Sequence, residues 1–592
     1  MKVATTTRVR FAQRLSPVFS GSQSLTWLLV AGFLLHFVLR LAIGLGRDGP
    51  VNFADETGYL ANTRVLSGGA IGNLSLASFY RGGYSLLLLP AYWLGDAPHS
   101  QYHFVLATNA LLSSLVFPLL YVMLTRVFMV PARAAFIAAF LATLYPPLVV
   151  TTQYAWAESL LPVLVLVAAV TLGLVVGARQ PKVAMGWAIA CGGCAGALYT
   201  THGRTAPLVL VLLGLLLLLA LLRHDLAASS AAGVVATVVV AAAGQRLNGW
   251  LSARNWATPL GGDLQRVLEN ARDLGSLANV GALGMGQYWY VFVATFGLVV
   301  LGLVDTGARL VPLRPLRRHP LLSRETAGAT VVSAFLVGSL VGLIVLVGLF
   351  LRPPMRPDHV VYGRYVEILV PPLLALGLVR LWTAPVRRLA VELTIGATVA
   401  LVACLIVVVY AGGLVARGPV NWTTVLALPA LAQTREQIRP VIATLVALTG
   451  AGVLLAVARR SRMWAAVGIA GVLVVISIAL RVVLIEARDH ATYGTQPVAL
   501  SQVEGLNAPH AVSYDMAAYT PIGLFGYQWE LDHARFVLFD SRWDPPPQTE
   551  WVIAGLDWPQ ARQVRAHRVW THPAYRQAVW QLPDVGDHQH PG

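Results

Sequence analysis

Apolar runs of membrane-spanning length recur along this chain, and no other feature of the sequence restricts the fold as severely. A helix needs roughly 20 apolar residues to cross a hydrocarbon core, and stretches such as SLTWLLVAGFLLHFVLRLAIGLG and VVSAFLVGSLVGLIVLVGLFL meet that length. So many long runs call for helices rather than a barrel, because a helix closes its backbone hydrogen bonds within each span. Only 12% of the 592 residues are charged and 56% are hydrophobic, whereas a soluble domain carries about 25% charged residues. The expected fold is a polytopic α-helical membrane protein.

Loop charge sets the expected number of spans and their direction. The formal charge of +16 invites a nucleic-acid partner, but the basic residues are scattered in short clusters between apolar runs, so none is expected. About thirteen transmembrane helices, with the N-terminus cytoplasmic, put arginines in every even-numbered connection: TRVFMVPAR, GARQPK, RHD, DTGARLVPLRPLRRHPLLSR, VRLWTAPVRR and ARRSR. The opposite connections are the long ones, 47–103, 245–287, 352–365, 412–439 and everything after about Glu486, so the elaborated face is extracytoplasmic. The basic N-terminus precedes a run too long for a signal-peptide core and is expected to remain as the first anchor of a multi-pass protein of the plasma (inner) membrane. Lys2 and Lys182 are the only lysines, a usage that fits a GC-rich bacterial genome.

Within the 47–103 loop, ETGYLANTRVLS and YSLLLLPAYWL have the length and amphipathic character of helices lying on the membrane surface. After residue 486 the apolar residues come in short pieces, AVSYD, ARFVLFD and EWVIAG, which read as strands between turn residues. The expected division is a transmembrane domain over 1–486 and a small extracytoplasmic α/β domain over 487–592, ending in a disordered GDHQHPG tail. There is no repeat of fixed period. Cys191 and Cys194 form a CxxC, but IACGGCAGA reads as small residues at a helix contact rather than a redox or metal motif.

VNFADETGYL places Asp55 and Glu56 side by side just after the first span in a chain short of acids. An N-cap at Asp55, with Glu56 favoured in the first turn, accounts for the pair structurally. The same face, however, also collects Arg81 and Tyr84 (FYRGGYS), Tyr154 and Glu158 (TTQYAWAES), His202 and Arg204 (TTHGRTAP), and Arg352, Arg356, Arg364 and Tyr365 (LRPPMRPDHVVYGRY). Acids and arginines converge at one membrane surface. His36 and Arg40, four residues apart within the first span, share one helix side that could face the bundle near a lipid phosphate, but Arg40 lies close enough to the outer end to snorkel, which is the plainer reading.

This pattern resembles the GT-C superfamily of membrane glycosyltransferases, in the branch that includes protein O-mannosyltransferases and aminoarabinose transferases. The resemblance rests on the acid pair after the first span, LYPPLVVTTQYAWAES between the third and fourth, an arginine just before proline at a later outer turn, and a late GRYVEILVP. It implies that Asp55 is the catalytic base with Glu56 its neighbour or substitute, and that the donor is a sugar carried on a polyprenyl phosphate. The C-terminal domain varies within the superfamily and does not name the acceptor.

The chemistry agrees. Transfer from a lipid phosphate requires a base for the acceptor hydroxyl, while the departing phosphate needs no dedicated acid, so one carboxylate suffices. Arginines offer paired donors to phosphate oxygens; Arg364 is the first candidate, then Arg204 and Arg352, with Arg81 and Tyr365 beside them. Glu158, Tyr154, His202 and Tyr84 are candidates for substrate binding. No cofactor is expected to be required; a divalent metal is the less favoured alternative, because ADET supplies no separated acid pair and no His/Cys set has ligand spacing. The expected activity is an inverting transfer of a sugar to an extracytoplasmic glycan, lipid or protein of the cell envelope. The alternative is a transporter or lipid-linked-sugar flippase, although the acids lie at span ends and the two halves show no symmetry. A scaffold would leave Asp55 and Arg364 freely replaceable.

Overall fold

The structure is a computed structural model that describes residues 22–583 apart from 48, 52–53, 76, 257–262, 274, 311–323, 416–419, 429–437, 487–499, 521 and 573–575. The expected boundary between the two domains, most of the arginine-rich connection after Asp305, and the GDHQHPG tail lie outside the described residues. Among the described residues, 11 helices are long and apolar enough to cross a membrane, and up to 13 if each of two bent pairs is one span. This is a multi-pass membrane protein.

Both bends have local causes. Ala132–Thr143 and Pro146–Gln153 meet at 62°, where Pro146 and Pro147 bar the preceding residue from helical geometry and remove backbone donors. Gly275–Ala294 and Leu298–Leu310 meet at 117° across Phe296 and Gly297, both left-handed with φ 51° and 76°. Elsewhere the spans pack through small residues. A Cβ placed on Gly192 would lie 1.9 Å from the Gly233 carbonyl oxygen, so Pro181–Thr201 and Ala227–Asn255 touch backbone to backbone. The CxxC stretch is a helix contact, and Cys191 is buried there with its thiol toward the Ala168 carbonyl.

The first span corrects one expectation. Arg40 is 1% exposed, donating to Ser113 Oγ (2.9 Å) and to the Thr143 carbonyl (2.8 Å). It does not snorkel to headgroups, because those bundle-facing oxygens satisfy its charge inside the protein.

The first long loop forms the helices Asp55–Leu66, Gly82–Leu87 and Leu89–Leu94. The third suits a membrane surface, with Trp93 and Leu94 exposed. The first does not, since Glu56 through Val65 are buried. It is covered by the C-terminal domain: Ala61, Leu74, Ala77 and Trp256 share one apolar cluster with Val512, Tyr514, Tyr527 and Ile553. Gln528 and Asn73 exchange hydrogen bonds of 2.6 and 2.8 Å, and Arg64 donates to the Gln528 carbonyl at 2.6 Å.

That domain is built on five strands, β1 (Ala511–Asp515), β2 (Arg535–Phe539), β3 (Trp551–Gly555), β4 (His567–His572) and β5 (Gln577–Gln581), in the order β2-β1-β3-β5-β4. β1 runs parallel to β2 and β3, and β5 is antiparallel to β3 and β4. Residue alternation sends Trp551 and Ile553 toward the membrane domain and Val552 and Ala554 to the other face, against Trp558 and Ala561. All three strands read from the sequence are present.

The helix contact is directly testable. Gly192→Val should cost about 1–3 kcal/mol, as forced overpacking does, read as a lower unfolding temperature in detergent. Gly193→Val, where nothing lies within 4 Å of the added carbon, should cost much less; equal losses would refute the backbone contact.

Candidate active site

Each polar residue of the site sits where a helix starts, stops or is interrupted. The Asp55–Leu66 helix begins after Ala54, which is left-handed at φ 69°. Asp55 therefore occupies the first helical position instead of the cap, and its carboxylate turns outward to partners far away in sequence. Glu56, one residue on, points the opposite way. Its carboxylate is fully buried and accepts from the Val51 N–H (2.9 Å), the Tyr102 hydroxyl (2.6 Å) and the Ala155 N–H (2.8 Å). The structure thus separates the two acids: Glu56 ties the helix start to the 154–156 segment, and Asp55 faces the cluster.

In TTQYAWAES the chain leaves helical geometry, with Tyr154 and Trp156 both extended (φ −123° and −122°). Residues two apart in extended chain share a side, and the Tyr154 and Trp156 rings stack at 4.1 Å. Arg364 lies over Trp156 at 4.0 Å. Since Tyr154 covers one ring face, the guanidinium takes the other, a favourable cation–π placement. Tyr84 is buried behind this segment, donating to Asn109 (2.6 Å), whose amide holds the Tyr154 carbonyl (2.8 Å). Tyr84 and Tyr154 therefore support the site wall.

Arg364 joins segments far apart in the chain. It donates to Asp55 Oδ2 at 2.7 Å and to Glu158 Oε1 at 2.5 Å. The same Glu158 oxygen accepts from Arg204 Nη1 at 2.9 Å. Burial opposes the charge on Arg364, but Glu158 and Asp55 outweigh it and hold the guanidinium well above its ordinary pKa. Local order comes from neighbours: the Gly363 and Arg364 N–H groups both donate to the Thr424 carbonyl, and Asp358 accepts from Thr424 Oγ1 and from Arg356. Glycine is required at 363 because an added Cβ would sit 2.1 Å from the Tyr290 ring.

Arg204 is 3% exposed, and its guanidinium lies 4.9 Å from the Tyr365 ring centroid. Its Nε and Nη2 have no hydrogen-bond partner among the described residues, and neither has Glu158 Oε2. Those two nitrogens form the side of a guanidinium that grips two oxygens at once. His202 accepts the Arg204 N–H on Nδ1 (3.2 Å), and its ring meets Tyr365 at 6.2 Å. Arg81 stacks on Tyr199 at 4.2 Å and donates to the Tyr199 carbonyl, beside Gly203. Arg352 is placed elsewhere, paired with Asp273 at 2.5 Å and bonded to Ser276.

Two contributors escaped the sequence reading. Tyr80 donates to Asp55 Oδ1 at 2.8 Å; burial, then the Asp55 charge, push its phenol well above the ordinary range, so it stays a donor. Trp156 supplies the stacking surface. Both stood in the quoted segments, FYRGGYS and TTQYAWAES, but aromatic residues near span ends are common and carried no distinguishing signal. Among the described residues no three His, Cys, Asp or Glu side chains are grouped to hold a metal. An apolar cavity of about 200 Å³ lies apart, lined by residues such as Phe296, Leu378, Leu454 and Ile469.

The environment of His202 implies a pH dependence. Burial, and then the Arg204 charge, lower its pKa well below 6.5. Below pH 6.5 the unfolded chain therefore takes up a proton that the folded chain refuses, and stability falls as pH drops from there toward the folded pKa. His202→Asn, which retains an acceptor for the Arg204 N–H, should remove a slope of about 1.4 kcal/mol per pH unit in that window. Denaturation in detergent across pH 5–8 measures it, and an unchanged slope would contradict the assignment.

The chain matches no protein-family model and no curated protein by sequence. Solved structures do match. ArnT from Cupriavidus metallidurans bound to undecaprenyl phosphate aligns with a TM-score of 0.54 at 16% identity, over 95% of this chain and 98% of that one. The same protein in its apo state gives 0.52 at 16% identity, over 94% and 98%. The archaeal oligosaccharyltransferase AglB from Archaeoglobus fulgidus, in complex with an inhibitory peptide and a dolichol-phosphate, gives 0.43 at 10% identity, over 94% of this chain and 74% of that one. The two ArnT alignments cover nearly the whole of this chain, so it shares the ArnT fold, a multi-pass helical bundle with a small C-terminal sheet domain, as its sequence led us to expect.

Proposed function

We propose that the protein is an inverting glycosyltransferase that moves a sugar from a polyprenyl-phosphate donor to an extracytoplasmic glycan, lipid or protein acceptor. The observation that carries this reading is the meeting of Asp55, Glu158, Arg204 and Arg364 in one cluster, with Arg364 bonded to an acid 309 positions earlier. The Asp55 side chain is 30% exposed, within reach of an acceptor hydroxyl, and acts as the base. Arg204 offers Nε and Nη2 to the donor phosphate, and Arg364 neutralises charge building on the departing oxygen. Tyr80 fixes the Asp55 carboxylate, and Glu158 holds the two arginines together. The relation to ArnT, a protein seen with undecaprenyl phosphate, favours a lipid phosphate over a nucleotide. In this reading the N-terminus is cytoplasmic, and the C-terminal domain, which packs on the Asp55–Leu66 helix, lies with the site outside the cell membrane.

Purified Asp55→Asn should lose transfer by about 10²–10⁴-fold, the usual contribution of a positioned base, while still binding polyprenyl phosphate. Activity close to the parent's would remove Asp55 from the mechanism. Release of polyprenyl phosphate from donor in detergent separates an enzyme from a transporter, which needs two compartments to act. Arg204→Lys keeps the charge and loses the paired donors. It should weaken polyprenyl-phosphate binding by roughly ten- to a hundredfold, the value of a charge-assisted hydrogen bond, with a smaller change in kcat.

A further inference from the structure

The C-terminal domain carries a second candidate site that the membrane-level chemistry does not use. Its first three strands have the order β2-β1-β3, all parallel. The connection leaving β1 packs on the face toward the membrane domain through Leu524, Phe525 and Tyr527, and the connection leaving β3 packs on the other face through Trp558 and Ala561, so the loops part at the carboxyl ends of β1 and β3. In open sheets of this order that parting makes a ligand crevice. A crevice of about 310 Å³ is present there, lined by residues at or just beyond the carboxyl ends of the three strands: Asp515 ending β1 and Ala518 after it, Arg542 after β2, and Asp557 and Trp558 after β3, with Arg576 completing the rim.

The side chains indicate the class of ligand. Asp515 is 2% exposed and accepts from the Ala517 N–H (2.9 Å), the Ser541 N–H (3.0 Å) and the Ser541 hydroxyl (2.6 Å). Arg542 is gripped by Asp540 at 2.8 and 2.5 Å, and Arg576 faces Asp557 at 3.9 Å. The charged residues that line the crevice are two acids, Asp515 and Asp557, and two arginines, Arg542 and Arg576, so the lining has no formal surplus of either sign and is poorly suited to a phosphate or a free cation. What it offers is donors, on Arg542 and Arg576, together with acceptors, on Asp515 and Asp557, and a hydroxyl suits both because it gives and receives a hydrogen bond. Aromatic surface accompanies them. Trp558 is buried in the wall with its Nε1 unpartnered among the described residues, and Trp543, in the turn next to Arg542, is 82% exposed. A large aromatic held in solvent beside paired charges suits the apolar face of a sugar ring.

We propose that this crevice binds a neutral saccharide, and that it holds the glycan part of the acceptor. The second half rests on the glycosyl-transfer reading; the preference for an uncharged polyhydroxy ligand does not. The full-length protein in detergent is titrated with cellobiose, lactose and N,N′-diacetylchitobiose, followed by saturation-transfer NMR and tryptophan fluorescence, with glucuronate and inorganic phosphate as charged comparators. At least one neutral disaccharide should bind saturably, and Asp557→Ala with Arg576→Ala, or Trp543→Ala alone, should weaken it about tenfold or more. These exposed positions can be replaced without loss of fold. Asp55→Asn should bind the disaccharide as the parent does, which separates failure of the crevice from failure of the catalytic assignment. No saturable binding of any neutral disaccharide, binding indifferent to the rim substitutions, or tighter binding of phosphate than of sugar would each overturn the proposal.

Discussion

The shared Glu158 oxygen, held between Arg364 and Arg204, is the contact on which the rest of the site is arranged. A charge removed from water inside an apolar bundle is costly unless a partner and further hydrogen bonds compensate it. Here two carboxylates and two guanidinium groups balance, and the stacked Trp156 and Tyr365 rings cover the cationic faces. The members are not equally held. The Glu158 side chain is 4% exposed and that of Asp55 30%. In the proposed reaction a phosphate entering against the arginines would disturb the balance, and Asp55 is the more accessible of the two acids to an acceptor.

The interruptions of the helices make this cluster possible. A continuous span has its backbone bonds closed within itself and can aim only side chains sideways. At the Asp55 helix start, in the extended 154–156 segment, at the turn before Arg204 and at Gly363 the backbone is opened, and each opening is repaired by a named group. Glu56 takes the N–H groups of Val51 and Ala155, Asn109 serves the carbonyls of Thr152 and Tyr154, His202 takes the Arg204 N–H, and the Thr424 carbonyl takes two N–H groups. Several polar residues that resemble catalytic groups in the sequence are thus occupied in holding the backbone open where Asp55, Glu158 and the arginines meet.

Asp55 and Glu56 show how far sequence reasoning reaches at such a site. Both are acids, both follow the first span, and the resemblance to the GT-C superfamily falls on the pair together. One helical step rotates successive side chains by about 100°, so only one faces the cluster, and which one depends on where the helix begins. That in turn depends on the left-handed Ala54, which no composition or period signals. Arg352 and Arg364 present the same difficulty. They lie twelve residues apart in one loop, and the choice between them was made by Asp273 on one side and Asp55 and Glu158 on the other. Burial of the Asp55–Leu66 helix beneath the C-terminal domain was equally invisible, because its cover is supplied from more than 400 residues away.

What the amino-acid sequence determined alone is the membrane-spanning helical architecture, a small sheet domain with three of its five strands, and the segments from which a site would be drawn. Those follow from run length and from periods of 3.6 and 2, properties that each segment possesses without its neighbours. The tertiary structure decided which polar side chains meet, which serve the backbone, and where Tyr80 and Trp156 enter. An ion pair forms when groups from distant segments come within about 3–4 Å, and that distance is set by how spans cross and where they break, which is a property of the packed bundle and of no single stretch of it.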